Sequence, residues 1–196
     1  MDPVNHSGGI AVLWNNDGIH ASLLSKSQRA LHLLVHDTGN NQNVILTGVY
    51  APAQSREKEF FWNQLLQFSS VVDLPWCLIG DFNELASPGE KMGGVSYPLS
   101  KYDRLNNFTN NINAISIPYK GKCFTWKKRI RTHLIYERLD RAIARSDWMN
   151  LYSDSFVTHG QFTCSDHCPI FLSTANPIHR RKSFPFRFQN AWCQYR

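Results

Sequence analysis

The stretch LPWCLIGDFNE, Leu74 to Glu84, constrains the fold more than any other part of the chain. Trp76, Cys77, Leu78 and Ile79 form a short apolar run, long enough for a buried strand and too short for a helix. Gly80 frees the backbone at the end of that strand. Asp81 and Asn83 follow two residues apart, and so on one side of an extended chain. The mouth of a buried strand is where α/β proteins place their chemistry, and an acid with an amide there suits a site. The same two residues also suit an ordinary strand-end turn.

The elements around this stretch are read from period and punctuation. Ile10 to Trp14 reads as a continuous apolar strand buried on both faces. Asn15-Asn16-Asp17-Gly18 and Gly39-Asn40-Asn41 read as turns. Between and after them lie strands over Ile19–Leu24, Ala30–His36 and Val44–Tyr50. A helix with Ser55 as N-cap runs to Ser70, its stripe made of Phe61, Leu65 and Phe68 and widened by Trp62 and Leu66. Glu84 to Pro98 is a long loop, a type that often carries function. Ser100 and Asp103 resemble a capping box for a second helix with Leu105, Phe108 and Ile112 inside. Strands follow over Cys123–Lys127 and Tyr136–Ala144, then a short helix capped by Ser146. Phe156–Phe162 and Pro169–Leu172 are the last strands expected. Strands, helix, strand, helix, strands is the order of two sheets with helices outside, an α+β or α/β sandwich.

With 196 residues the chain suits one domain with a sizeable core, placed at 1–175, with a basic and aromatic tail or linker start at 176–196. No apolar run approaches a membrane span. The start, MDPVNHSGGIAVLW, lacks the basic lead and apolar core of a signal peptide, so a nuclear or cytoplasmic protein that is not secreted is expected. Five cysteines without paired spacing suit reduced thiols better than a disulfide framework, and Cys164 with Cys168 lacks a second ligand pair for zinc.

The net charge of +6 is unevenly spread. Between Lys120 and Arg145 nine Lys and Arg residues face only Glu137 and Asp140, and no acid occurs after Asp166. Clustered base is the footprint of a polyanionic partner, nucleic acid first, although a solvated basic face has the same composition.

Polar residues recur at strand ends: Tyr50, Asp81, Asn83, Thr125, Asp140 and the triplet Ser165-Asp166-His167. Each has a plain structural explanation alone. As an ordered set, with SGGIAVLW, VYAP, LIGDFNE, EKMGG, FTW, ERLDRAIA and SDHCPI, they resemble the endonuclease/exonuclease/phosphatase superfamily. The chain is most similar to the apurinic-type endonuclease domain of plant LINE-type, non-LTR retrotransposons. PFRFQNAW resembles the segment that follows that domain. The resemblance implies an α/β, DNase I-like four-layer sandwich of two mixed β-sheets with flanking helices.

The resemblance further implies a DNA endonuclease that nicks by water attack on a phosphodiester, with Mg²⁺ or Mn²⁺ as cofactor. Asp81 would be the general base, Asn83 its orienting partner, and His167 the donor that stabilises charge on the phosphate. Asp140 would fix the His167 tautomer. Tyr50 would donate to the phosphate, Asp166 would assist at the metal, and Thr125 and Ser165 would support. Lys127, Lys128, Arg129 and Arg131 would lie along the DNA backbone. DNA is the partner implied; neither a membrane nor a stable protein partner is.

One departure stands against this. The family begins with an Asn-ending strand and a strand carrying a metal-binding Glu, both ahead of SGG. MDPVNH holds neither, so the first strands and the principal metal carboxylate are expected to be missing, with nuclease activity weak or absent. A non-catalytic nucleic-acid-binding remnant, and a phosphatase or lipid phosphodiesterase of the same fold, are the alternatives.

Overall fold

The computed structural model describes residues 9–14 and 17–174. The basic tail at 176–196, Ser7 and Gly8, and the Asn15-Asn16 part of the first turn lie outside the described residues.

The central element is a six-stranded mixed sheet. Its strands are β1 (Ile19–Lys26), β2 (Ala30–Asp37), β3 (Gln42–Tyr50), β4 (Trp76–Asp81), β10 (Asp140–Arg145) and β6 (Ala114–Ser116), in that spatial order. β3 and β4 run parallel, joined by helix α1 (Ser55–Val71), and every other neighbour is antiparallel. A second mixed sheet holds β12 (Ile170–Ser173), β11 (Phe156–His159) and β7 (Tyr119–Lys120). A third, antiparallel sheet holds β5 (Lys91–Met92), β9 (His133–Glu137) and β8 (Trp126–Ile130). The mixed α/β architecture matches the expected class; among the described residues the two mixed sheets are unequal and the basic hairpin forms a third.

Alternation on the central strands explains the layering. Trp76 and Leu78 of β4, with Ile143 of β10, face α1 and α2 (Asp103–Asn111), where Phe61, Trp62, Leu65, Leu105 and Phe108 meet them. Cys77 between them, with Ala142 and Ala144, faces the other way onto Ile117, Trp148, Tyr152 and Val157. A strand buried on both faces must be apolar at every position, and the Trp76–Leu78 run is. Full burial of one such large side chain contributes about 1.5–3 kcal/mol.

Several boundaries differ from those expected. Gly9 to Trp14 has no regular structure: Ile10 and Val12 pack on the second cluster, while Leu13 and Trp14 are exposed. The run is thus buried on one side only. Ser55 and Ser146 are first helical residues rather than caps, the cap positions being Gln54 and Arg145. Leu99–Lys101 forms a 3₁₀ turn before α2, and Tyr102 stands at its cap with no side-chain bond, so Ser100 and Asp103 make no capping box. The strand read at Cys123 begins at Trp126, and that read to Phe162 ends at His159.

The most consequential difference is at Tyr136–Ala144, which is two strands. β9 ends at Glu137 in the hairpin sheet and β10 begins at Asp140 in the central sheet. Arg138 and Leu139 carry the chain from one to the other, and their amides leave the ladders: Arg138 N–H donates to Glu90 O, and Leu139 N–H to Thr125 Oγ1. A period-two pattern continues through such a step, so alternation alone does not reveal it.

Candidate active site

Sheet pairing places three of the candidate residues at one end of β3, β4 and β10. Tyr50 is the register partner of Asp81 across the parallel β3–β4 pair, and Asp140 is its partner across β4–β10. Gly80 makes the first pairing possible. Its φ is +142°, and a Cβ there would lie 2.0 Å from Val49 O, so the strands could not close with any side chain.

Asn83 locks the Asp81 carboxylate. Its backbone takes φ +48°, a left-handed conformation that Asn tolerates better than most residues. From there its N–H donates to Asp81 Oδ1 at 2.8 Å, and Nδ2 donates to Oδ2 at 2.9 Å and to Ala51 O at 2.8 Å. The turn and the site readings of Asp81 and Asn83 are therefore one structure. Burial pushes the Asp81 carboxyl up to about 6, the negative charge of Asp140 adding to the rise and the Asn83 hydrogen bond opposing it.

Asp140 Oδ2 lies 2.8 Å from His167 Nδ1. A carboxylate only accepts, so Nδ1 carries the proton and Nε2 is left for a ligand. Burial, the largest influence on His167, pulls its pKa down. The Asp140 hydrogen bond and charge, helped by Asp81 and Asp166, outweigh it, and the net shift is upward. Thr125 sets the position of this pair: its Oγ1 accepts from both Leu139 N–H at 3.0 Å and Asp140 N–H at 2.9 Å. It is fully buried.

The segment bearing His167 is strapped to the start of the hairpin. Cys168 N–H donates to Thr125 O at 2.8 Å and Lys127 N–H to Asp166 O at 2.9 Å. Ser165 Oγ accepts from His167 N–H, and Asp166 Oδ2 accepts from Trp126 Nε1 at 3.0 Å. Tyr50 is held from the other side. The Arg29 guanidinium lies 5.7 Å from its ring centroid and bonds Glu57 at 3.1 Å.

Lys127, Lys128, Arg129 and Arg131 sit on β8 and at the hairpin tip, Lys127 beside the His167 segment through its bond to Asp166 O and the other three farther along the hairpin. None of the four has an acidic partner among the described residues. Arg131 adopts φ +53° at the turn. Lys127 Nζ rests 4.7 Å from the centroid of Phe162.

Two buried acids escaped the sequence reading. Glu90, in the long loop, bonds Arg138 at 2.9 Å and Arg141 at 2.7 Å, tying that loop to the β9–β10 step. The Arg141 hydrogen bond and charge hold its carboxyl below the usual range against the opposing and larger single effect of burial. Glu84, wholly buried, pairs with Lys58 at 3.2 Å, Lys101 at 3.3 Å and Arg104. Partners so distant in sequence leave no local signal; the one hint was an acid directly after an apolar-strand turn.

The Endonuclease/Exonuclease/phosphatase family model matches residues 2–167. The chain belongs to this family. Among solved structures it is similar to the endonuclease domain of TRAS1, a telomere-specific non-LTR retrotransposon. The TM-score is 0.65 at 12% identity, over 82% of this chain and 70% of that one. A functionally unknown conserved protein from Enterococcus faecalis V583 gives 0.50 at 14% identity, over 82% and 69%. At such identities the likeness is one of fold. No curated protein sequence matches the chain.

The family is generally dependent on a divalent metal. Among the described residues, however, no three of His, Cys, Asp and Glu gather into a group that could hold an ion. Asp81 and Asp140 adjoin, but Asp140 is engaged by His167 and Asp166 by Trp126. A hard cation takes six or more oxygens, several from carboxylates. The described donors do not make up that set. Also among the described residues, no helix is long and apolar enough to cross a membrane.

Proposed function

We propose that this chain is a DNA-directed phosphodiesterase domain of the Endonuclease/Exonuclease/phosphatase family, cleaving by attack of water on the phosphorus. The observation that carries the reading is the Asp81–Asp140–His167 cluster at one sheet end. Asp81, with its pKa raised to about 6 and both oxygens oriented by Asn83, is suited to take a proton from water near neutrality. His167, whose protonated form Asp140 favours, would when protonated donate from Nε2 to a phosphate oxygen and stabilise the charge that grows there. Tyr50, the strand neighbour of Asp81, would offer its hydroxyl to the same phosphate. Thr125 and Ser165 act by positioning Asp140 and His167. Asp166, expected at a metal, is read here as a hydrogen-bond partner of Trp126 that adds to the field around His167. The exposed cations of β8 favour DNA over a small phosphomonoester, because a duplex is long enough to reach them.

Nicking of supercoiled plasmid with added Mg²⁺ or Mn²⁺ tests this. Nicking that falls at least about 100-fold in His167→Ala and Asp81→Asn supports the reading. A second reading, a domain that binds DNA without cutting it, is favoured by the incomplete donor set. DNA binding by the folded chain with no nicking above that of His167→Ala would select it.

A further inference from the structure

A cavity of about 350 Å³ opens beside Asn83, lined among others by Lys58, Tyr97, Lys101, Trp126 and Leu139. It is separate from the Asp81–His167 cluster but shares Asn83 with it. Of its charged lining side chains two are cations, Lys58 and Lys101, and one is an acid, Glu137. Lys58, Lys101 and Arg104 surround Glu84, while Lys91 pairs with Glu137 at 3.5 Å. Lys58 is 3% exposed and held by Asn83 O at 2.6 Å as well as by Glu84. Lys101 is only partly covered and lies 5.7 Å from the Tyr97 ring centroid.

This wall is built as a unit. Tyr97 donates to Glu137 Oε1 at 2.9 Å, with Lys91 4.8 Å from its ring, so the long loop is fastened to the end of β9. Trp126, at the start of β8, is fixed by Asp166. Surplus positive charge at a partly closed cavity favours an anion, and a lysine serves a phosphate as a point charge. The flanking aromatic faces suit the apolar side of a sugar or base. Because the cavity adjoins the residue that orients Asp81, the nearest anion on a bound strand is a phosphate next to the one under attack.

We propose that Lys58 and Lys101 form a second phosphate subsite, holding the nucleic-acid phosphate adjacent to the scissile one. The inference rests on the phosphodiesterase reading above. It makes two residues outside the expected basic hairpin responsible for placing the strand across Asp81.

The test compares thymidine dinucleotide with its 5′-phosphorylated and 3′-phosphorylated forms by calorimetric titration at low salt, with inorganic phosphate as a further arm. One terminal phosphate is expected to tighten binding about tenfold. Lys101→Ala and Lys58→Met should each remove most of that gain, with thermal melting confirming a folded chain. Lys101→Glu, at the more exposed position, should abolish it. A gain that is absent in the unaltered protein, or that persists in all three variants, overturns the subsite. So does inorganic phosphate binding as tightly as the phosphorylated dinucleotide and losing as much in the variants, since the site then reads no strand. Failure of the parent reading looks different: supercoiled plasmid is nicked no faster by the unaltered chain than by His167→Ala, whatever the dinucleotide titrations show.

Discussion

Asp140 stands directly opposite Asp81 across the β4–β10 pairing and gives Oδ2 to His167 Nδ1 at 2.8 Å. One carboxylate therefore does two things at once: it raises the proton affinity of the neighbouring Asp81 and that of the His167 imidazole. The acid–base character of the whole cluster depends on it.

The His167 imidazole should titrate above its usual 6.5, because Asp140, Asp81 and Asp166 together outweigh the effect of burial. A histidine with a raised folded pKa adds stability that is complete below its unfolded pKa and disappears as pH rises through the folded one. Asp140→Asn should lower the midpoint of the His167 ring resonances in an NMR titration. An unchanged midpoint would show that the pair is not coupled.

Asp81 has the opposite chemistry and the same sign. Its carboxyl is raised from 3.8 to about 6, so the folded chain holds a proton that the unfolded chain has released, and stability falls as pH rises between those values. Asp81→Asn removes this dependence and should stabilise the chain at pH 7.5 by up to about 3 kcal/mol, at one pKa unit per 1.36 kcal/mol. Urea melts at pH 4 and pH 7.5 measure it. Equal midpoints for the two proteins at pH 7.5 would contradict the burial account.

Thr125→Val should cost about 2–4 kcal/mol, since it leaves the buried Leu139 and Asp140 amides without their shared acceptor. Thr125→Ser keeps the hydroxyl and should cost under about 1.5 kcal/mol. Chemical denaturation of both variants distinguishes a hydrogen-bonding role from simple packing, which predicts similar losses.

DNA affinity should fall steeply with salt, and changing Lys128, Arg129 and Arg131 together to Ala should flatten the plot of log affinity against log salt by about 3. Fluorescence anisotropy on one duplex over 50–200 mM salt is sufficient. A slope that the triple change leaves intact would place the DNA elsewhere.

How much of this was readable from residues alone varied with the physics involved. The Trp76–Asp81 strand was, because burial on both faces demands an unbroken apolar run that a sequence displays directly. The placing of Tyr50, Asp81, Asp140 and His167 together came from the resemblance of their ordered strings to a family, because each residue alone had a plain structural explanation; strand register and the Asp140–His167 bond bring the four side by side. The division of Tyr136–Ala144 was not readable, because a chain that changes sheets keeps its alternation. Ser55 and Ser146 misled for a similar reason: a residue that can cap a helix also begins one, and the hydrogen bond that separates the two cases is a tertiary fact. Glu84 and Glu90 were hidden most completely, as their partners come from helices and strands far along the chain.

The two-residue step at Arg138 and Leu139 bears on how such a domain can change. The step is anchored by Glu90 and Thr125, outside both ladders it connects. Residues of the basic hairpin can therefore be lengthened, shortened or exchanged without shifting Asp140 along the central sheet. The start of the hairpin is a different matter, since Thr125 and Lys127 are bonded to the segment that carries His167, so only its outer part, Lys128 to Arg131, is free to vary without disturbing the cluster.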